Sequence, residues 1–385
     1  MTNVLILIDK LARAGAERLV TDIAPRIDRC RFQVTVCSLG KQTAMVGELQ
    51  EAGVSPVLLR AAKWDPRTLF RIRRLVREKS ISVIHAHLGK SIVLGWLAAK
   101  LAKVRFIAHE HVGPMWPHLG GGLLHRIENA IMCRATLFCM ARSDAVIAVA
   151  GPTRDWIVAR RPKLAGNTVV ITNGIDLDAV ARASEDREAV RAEVRQDLGL
   201  PRDCLLVLGV ASFRFVKRWD LFVRCACEVL SAHSDVHFVG AGRGPLHDEM
   251  LELVTTLGVT DNVHLVGVRG DIPRLMAAAD LFLMPTSMEC DPIVAKEALA
   301  SGLPIVGSDI PALRENIVDG ETGFLVTFGD VRVLSEKVLE VLADDELRGR
   351  MSAAAQRLGH ERFSIDTCTR ETEKVYERIA GGSGS

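Results

Sequence analysis

Residues 281–326 read LFLMPTSMECDPIVAKEALASGLPIVGSDIPALRENIVDGETGFLV, and the rest of the chain is best understood from this stretch. Residues 281–285 are a short apolar run, typical of a buried parallel strand. After a polar loop, Asp291 stands directly before Pro292, as an N-cap residue stands before a proline in the first helical turn. We therefore expect a helix from this point to about residue 301, followed by another strand.

The mouth of this predicted helix is the first candidate binding site. Backbone N–H groups at a helix N-terminus lack intrahelical acceptors, so the mouth suits a phosphate or diphosphate. The residues of the mouth are Asp291, Pro292, Ile293 and Val294. Two carboxylates bracket it, Glu289 in the loop and Glu297 inside the helix. Because a carboxylate only accepts hydrogen bonds, both glutamates suit sugar hydroxyls better than the phosphate itself.

The order of residues in this stretch resembles a known family. Glu289 and Glu297, with seven residues between them, are followed by Ala298, Ser301-Gly302, Pro304-Ile305-Val306, Glu315 and Asp319-Gly320-x-Thr322-Gly323-Phe324-Leu325-Val326. This ordered run looks like that of the retaining glycosyltransferases of family 4, which have the GT-B fold. The resemblance implies an α/β chain with two Rossmann-like, doubly wound domains facing each other across a cleft. It also implies that Glu297 holds the nucleotide ribose and Glu289 the transferred sugar.

The composition is that of a globular protein. The chain has 385 residues, of which 48% are hydrophobic and 25% charged, enough for two domains with separate cores. Its 49 Lys+Arg against 47 Asp+Glu give a net charge of +2, which argues against nucleic acid as a partner. We expect no membrane span and no signal peptide. Nine cysteines without a Cys-x-x-Cys pair suggest reduced thiols, so we expect a cytoplasmic protein.

Domain boundaries are placed from the change of pattern near the middle of the chain. We expect an acceptor-side Rossmann-like domain at residues 1–180 and a nucleotide-sugar-binding domain at residues 181–360. By resemblance, residues 361–380 form a helix that crosses back to the first domain. Residues 381–385 read GGSGS and are expected to be an appended linker.

The N-terminal half opens with a predicted strand at residues 4–8 that leads to Gly15 at the start of a helix. A glycine at such a turn lets a backbone N–H approach a ligand closely. A plain turn glycine is the alternative interpretation. Gly15-Ala16-Glu17-Arg18 resembles the family's N-terminal loop, which implies that Gly15 faces the donor diphosphate.

Histidines cluster at the ends of two later strands, His85 and His87 on one, His109 and His111 on the next. The carboxyl ends of parallel strands are where open α/β sheets bind ligands. For most of these side chains a structural hydrogen bond is the simpler interpretation. His111 is the exception, since it matches the family's histidine near the reacting end of the sugar. No acidic ligand is spaced to complete the group, so we do not predict a zinc site.

Residues 211–218 read ASFRFVKR and resemble the family's diphosphate clamp. Most members have an arginine five residues before the lysine, but this chain has Ser212 there. We expect Lys217 to be the main cation, with Arg214 as the second and Arg218 behind it. On a strand, Arg214 would lie on the same side as Ser212.

Arg269 follows the predicted strand at residues 263–268 and precedes Gly270-Asp271. This position matches the place where family members hold the nucleotide base through backbone groups. We therefore include Arg269 among the donor-binding residues.

A basic helix is predicted over residues 66–78. Between Arg60 and Lys79 the chain has eight basic and two acidic residues, and Arg67, Arg71 and Arg74 recur at helical spacing. A solvated face is the usual meaning of such a run. The alternative is contact with an anionic membrane surface, which would make the protein peripheral on the cytoplasmic face of the inner membrane.

The resemblance implies transfer of a sugar, with retention, from a nucleotide-diphosphate donor to a hydroxyl group. We expect a UDP-sugar as donor and a glycan, lipid-linked or small-molecule acceptor. A front-face route is expected, in which the leaving diphosphate helps to deprotonate the acceptor, and neither a metal nor another cofactor is expected. Two alternatives stay open: a non-catalytic nucleotide-sugar-binding subunit, suggested by Ser212, and a GT-B epimerase or phosphorylase.

Overall fold

The computed structural model describes residues 1–62, 65–113, 115 and 122–381, which fall into two compact units. The first unit comprises Met1–Gly174 and Ile365–Ser385, and the second comprises Ile175–Ser364. The divisions therefore fall at Gly174 and Ser364 rather than at residues 180 and 360. Within the second unit the two ends of its chain lie side by side, since the Ile175 N–H donates to the carbonyl of Phe363 at 2.8 Å. Most of the predicted linker, residues 382–385, lies outside the described residues.

The first unit is built on a parallel sheet of seven strands. In chain order its elements are β1 (Thr2–Ile8), α1 (Gly15–Arg26), β2 (Phe32–Ser38), α2 (Val46–Glu51), β3 (Val57–Leu58), α3 (Arg67–Glu78), β4 (Val83–His87), α4 (Gly89–Ala102), β5 (Arg105–Glu110), α5 (Leu123–Met140), β6 (Ala145–Ala148), α6 (Gly151–Arg160) and β7 (Thr168–Val170). The strands are arranged in the order β3-β2-β1-β4-β5-β6-β7.

Both faces of this sheet are buried, which explains why its central strands are apolar runs rather than alternating patterns. Residues 4–8 of β1 are completely buried. Val4 and Ile6 pack in the core that includes α1, whereas Leu5 and Leu7 pack in the core that includes α3 and α4. The sheet is therefore covered by helices on both sides.

The second unit is built on a parallel sheet of six strands. Its elements are α7 (Leu177–Ala183), α8 (Arg187–Asp197), β8 (Leu205–Val210), α9 (Trp219–Ala232), β9 (Val236–Ala241), α10 (His247–Thr256), β10 (Val263–Gly267), α11 (Ile272–Ala278), β11 (Leu281–Met284), α12 (Ile293–Ala300), β12 (Ile305–Ser308), α13 (Pro311–Arg314), β13 (Gly323–Val326), α14 (Val331–Ala343) and α15 (Asp345–Arg362). The strand order is β10-β9-β8-β11-β12-β13. The predicted α/β class with two doubly wound sheets is confirmed.

The last helix of the chain, α16 (Ile365–Gly381), belongs to the first unit. Its Tyr376 is completely buried in the core beside α1, and the ring lies edge-on to Phe32 with centroids 5.5 Å apart. The residues at the end of the chain thus complete a core that the beginning of the chain starts.

Helix α5 was not predicted from the sequence. It spans 18 residues and begins after Gly122, which offers no capping side chain. Its outward face is apolar, with Leu124 80% exposed, together with exposed Ile127, Ile131 and Phe138. Because apolar residues lie on both its inner and outer sides, the helical periodicity is weak. Among the residues described, no helix combines the length and hydropathy needed to traverse a bilayer.

Close packing between α15 and α12 fixes the helix on which the predicted site depends. Gly359 lies against the backbone of Ala300, where an added Cβ would come within 2.5 Å of the amide nitrogen. Ser352 also donates to the carbonyl of Gly302 at 2.7 Å, just after α12. Only glycine permits this approach of the two helices.

We predict that Gly359→Ala lowers the stability of the second unit, by about 1–3 kcal/mol for an overpacked contact. The matched control is Gly349→Ala in the same helix, where an added Cβ meets nothing within 4 Å. The free energy of unfolding of that variant should rise by roughly 0.5–1 kcal/mol, because alanine has a higher helix propensity than glycine. Urea unfolding followed by circular dichroism measures both, and a Gly359→Ala protein as stable as the control would contradict the prediction.

Candidate active site

Two loops meet at the carboxyl edge of the second sheet, after the neighbouring strands β8 and β11. The carbonyl of Val216 joins them, because it accepts hydrogen bonds from three atoms of the β11 loop. These are the backbone N–H and Oγ of Ser287, at 2.8 and 3.1 Å, and Oγ1 of Thr286, at 2.8 Å. The loop of the predicted clamp is thereby tied to the loop that contains Glu289.

Lys217 and Glu289, predicted separately as site residues, form an ion pair. Nζ of Lys217 donates to Oε1 of Glu289, and the two side chains are 19% and 7% exposed. A carboxylate so far from water requires a hydrogen-bonded counter-charge. Each residue is therefore the partner of the other at the centre of the site.

Arg214 does not lie on a strand, so the argument that it shares one side of a strand with Ser212 is wrong. Strand β8 ends at Val210, and Arg214 directly precedes a single 3₁₀ turn over Phe215–Lys217. The reason is local: the backbone N–H of Lys217 turns back to the carbonyl of Arg214 at 2.9 Å. The Arg214 side chain is exposed and makes no ion pair within the described part of the chain.

The guanidinium groups of Arg218 and Arg269 are already bound to carboxylates. Arg218 donates to both oxygens of Asp220 at 2.8 and 2.7 Å. Arg269 donates to both oxygens of Asp271 at 2.8 and 2.7 Å and to Asp197 at 2.8 Å. The hydrogen bonds from Arg269 lower the pKa of Asp271, so this pair is charged at neutral pH. These two arginines shape their loops, whereas Arg214 projects into solvent.

Helix α12 begins at Ile293, and its N-cap is Pro292, with no side-chain hydrogen bond to the first turn. The prediction that Asp291 caps this helix is therefore wrong. Its carboxylate instead pairs with Nζ of Lys296, at 2.6 and 2.7 Å. The buried ammonium requires a counter-charge, and this requirement outweighs a cap worth about 1 kcal/mol. The N-cap residue of the helix mouth, Pro292, provides no side-chain cap to Ile293 and Val294.

Lys296 is a site residue that sequence reasoning missed. The side chain is completely buried, Asp291 is 3% exposed, and Nζ lies 5.0 Å from the ring centroid of Phe363. Its neighbour Glu297 is half-buried on the same helix. The available signal was a lysine on a predicted helix whose other residues, apart from Glu297, are apolar, five residues after an aspartate. The pair fixes the loop that contains Glu289 to the helix that contains Glu297.

In the first unit, Gly15 is exposed at the first position of α1, after Ala14, which provides no side-chain cap. Glu17, two residues further, is 2% exposed, and its Oε1 has no hydrogen-bond partner among the described residues. Burial raises the pKa of Glu17. The start of α1 thus combines an accessible backbone with a buried carboxylate for which no role was predicted.

Four histidines form a contiguous ladder at the carboxyl ends of β4 and β5. His85 Nδ1 lies 2.7 Å from the hydroxyl of Tyr376, and His85 Nε2 lies 3.1 Å from His109 Nδ1. His87 Nδ1 lies 3.0 Å from His111 Nε2. His85, His87 and His109 are fully buried, and His111 is the outermost ring. Parallel register places His87 beside His109, which brings the two pairs together.

The ladder consists of neutral imidazoles at physiological pH. Burial lowers the pKa of His85 and of His111 to about 3, and it lowers the pKa of His87 and His109 well below the usual value. Nitrogens of His85, His87 and His109 lie within 4.8 Å of one another, an arrangement that a cation could bind. Both nitrogens of His85, however, already make hydrogen bonds. The expectation of no metal stays a prediction.

Fold, loops and sequence pattern together define a GT-B glycosyltransferase. Residues 13–179 match the family described as Glycosyltransferase Family 4, and residues 190–358 match the family described as glycosyl transferases group 1. The chain belongs to the group 1 glycosyltransferases of family 4 and is therefore an enzyme of sugar transfer.

Two relatives and one solved structure illustrate the similarity. The chain is 26% identical to alpha-D-kanosaminyltransferase of Streptomyces kanamyceticus, over 83% of each protein. It is 25% identical to UDP-Gal:alpha-D-GlcNAc-diphosphoundecaprenol alpha-1,3-galactosyltransferase of Escherichia coli, over 72% of this chain and 73% of that protein. The crystal structure of Anabaena HepE in complex with UDP and glucose superposes with a TM-score of 0.86 at 20% identity, covering 98% of this chain and all of that one.

Proposed function

We propose that this enzyme transfers a hexose from a UDP-sugar to a hydroxyl group of its acceptor, with retention of anomeric configuration and without a metal ion. The ion pair between Lys217 and Glu289, in the loop that leads to the mouth of α12, is the observation that carries this proposal. A uridine nucleotide is supported by the HepE complex with UDP and by the name of the Escherichia coli relative.

Donor binding would exchange the partners of this pair. The donor diphosphate is a stronger counter-charge for Lys217 than one carboxylate, and the N–H groups of Ile293 and Val294 offer it further donors. Glu289 would then be released to accept hydrogen bonds from the hydroxyls of the transferred sugar. Glu297 would bind the ribose from inside α12. The two carboxylates thus take different parts of one donor.

The chemical step follows a front-face route. The bond between the anomeric carbon and the diphosphate oxygen breaks, and the acceptor oxygen forms its bond to the anomeric carbon from the same face. The hydroxyl proton passes to the departing diphosphate, so no enzyme nucleophile is needed. Lys217, Arg214 and the α12 mouth stabilise the charge that develops on the leaving group, which is the largest single contribution expected of such a site. His111 contributes a hydrogen bond to the reacting sugar.

We predict that Glu289→Ala and Glu297→Ala separate turnover from nucleotide binding. Glu297→Ala should weaken UDP binding roughly 10-fold or more, the effect of losing a charged hydrogen bond. Glu289→Ala should lower turnover by a similar factor and leave UDP affinity nearly intact. Calorimetry with UDP and initial rates with saturating donor measure the two effects. Glu336→Ala, at an exposed position of α14, is the control. Equal loss of UDP affinity in both variants would refute the division of roles.

We predict that the clamp works with cations of the chain alone. Activity should survive EDTA, and Lys217→Ala should reduce the rate by about 10²–10³-fold, as removal of a leaving-group stabiliser does. Arg214→Lys should lower the initial rate much more than Ser212→Ala does, because a guanidinium group contacts phosphate through two donors. Initial rates with and without chelator test both points. Full dependence on added magnesium or manganese, or an unimpaired Arg214→Ala enzyme, would remove the two-cation clamp.

We also propose that α3 binds an anionic membrane surface. Arg67, Arg71 and Arg74 are exposed on this helix, and Phe70 between them is 64% exposed, while Ile72 and Leu75 anchor the opposite side. Basic charge flanking an exposed aromatic ring suits the headgroup region of a bilayer. The lipid-linked acceptor named for the Escherichia coli relative is consistent with such a surface.

We predict that the protein sediments with anionic vesicles at low salt and is released as salt increases. Arg67→Glu with Arg71→Glu should weaken the partition roughly 30-fold or more, since each basic residue near the surface contributes about 1 kcal/mol. Arg332→Glu with Lys337→Glu, on α14 of the second unit, is the matched control. A protein that stays in the supernatant on anionic vesicles at low salt would favour a soluble acceptor instead.

A further inference from the structure

His87 and His111 form the outer pair of the histidine ladder, and their contact determines which nitrogen of His111 is available to a ligand. Its Nε2 lies 3.0 Å from Nδ1 of His87, so this nitrogen is already in a hydrogen bond. Nδ1 is the ring nitrogen that remains. His87 is fully buried while His111 is partly exposed, so contact with a substrate runs through His111.

A neutral imidazole has one N–H donor and one bare acceptor nitrogen. Both rings are neutral, because burial lowers the pKa of His111 to about 3 and that of His87 well below its usual value. The hydrogen bond between them therefore has two possible arrangements. Either His87 Nδ1–H donates to His111 Nε2, or His111 Nε2–H donates to His87 Nδ1.

The far nitrogen of His87 decides between these arrangements. Nε2 of His87 is buried and has no hydrogen-bond partner in the described part of the chain. If His111 were the donor, the His87 proton would sit on this orphaned nitrogen. Buried N–H groups without acceptors are rarer in native proteins than acceptors without donors. The proton of His87 is therefore expected on Nδ1, pointing at His111.

We propose that His87 is a positioning residue that donates to His111 Nε2 and thereby holds His111 in the tautomer with its proton on Nδ1. His111 then presents a hydrogen-bond donor to a substrate oxygen and cannot act there as a base. The tautomer follows from the ladder alone, whereas its use on a sugar rests on the proposed function.

The inner pair of the ladder, His85 and His109, leads to the same tautomer, and the argument uses different atoms. His109 Nε2 is also buried without a partner among the described residues, so the same rule places the His109 proton on Nδ1. That proton is donated to His85 Nε2, and the His85 proton then lies on Nδ1, facing the Tyr376 oxygen. All four rings are thus assigned the same tautomer.

Nitrogen-15 spectroscopy on histidine-labelled enzyme tests the assignment directly. Long-range proton–nitrogen correlations distinguish the protonated from the bare ring nitrogen, and the His111 signals are identified by their loss in His111→Asn. The expected result for the unmodified sequence is a protonated Nδ1 and a bare Nε2 at His111. A protonated Nε2 with a bare Nδ1 would overturn the proposal, whatever reaction the enzyme catalyses.

Variants at position 87 test the link to turnover. His87→Leu removes the donor, so the His111 nitrogen signals should shift toward the average of two exchanging tautomers, and kcat should fall roughly 10-fold with donor KM unchanged, as for loss of one neutral hydrogen bond. His87→Asn restores an N–H near the same place and should recover both the shifts and most of kcat. His111 signals that do not change in His87→Leu would overturn the positioning role. Absence of any sugar transfer by the parent enzyme would instead reject the proposed function and leave the tautomer standing.

Discussion

Every pairing between the described strands is parallel, so each strand must be followed by a crossover that returns the chain to the other end of the sheet. This requirement places helices on both faces and completely buries residues 4–8 of β1. It also sends the loops that follow the strands to one edge. The clamp loop after β8 and the glutamate loop after β11 become neighbours for this reason, as do the histidines at the carboxyl ends of β4 and β5. Within each sheet, the shared direction of the strands therefore brings the candidate site residues to the same edge.

Charge in the second unit is balanced within short distances. Lys217 is paired with Glu289, Lys296 with Asp291, and Arg269 with two aspartates. A buried charge left alone would cost several kcal/mol, so each pair holds its loop in one arrangement. The pairs differ in what a ligand can do to them. The side chains of Lys296 and Asp291 are buried, whereas that of Lys217 is 19% exposed and is therefore accessible to the proposed donor diphosphate.

Most of the fold was predictable because apolar runs and helix-breaking residues report directly on buried parallel strands. The predicted strand at residues 281–285 and the helix after it correspond to β11 and α12. The role of Asp291 was not predictable, since the rule for N-caps considers only neighbouring residues and the partner lies one turn inside the helix. Helix α5 was not predicted for a different reason. Its outer face is apolar, so the sequence has only a weak helical periodicity there.

The candidate site shows the same limit. Motif positions located Lys217, Glu289 and His111, but not that two of them touch or that the third is the last ring of a ladder. Tyr376 illustrates why, because it reaches His85 from a residue 291 positions away in sequence. The spacing of residues along the sequence does not predict such contacts. They depend on which helix covers which face of the sheet.

The division of the first unit between the two ends of the chain affects how the protein is made. A ribosome synthesises residues 1–174 first, then all of residues 175–364, and only after them α16. Until α16 is made, the core beside α1 lacks Tyr376, Val375 and Ile379. His85 then also lacks its hydrogen bond with the hydroxyl of Tyr376. The second unit is continuous and has all its elements before α16 is synthesised. The core of the first unit therefore stays incomplete until the whole second unit and α16 have been synthesised.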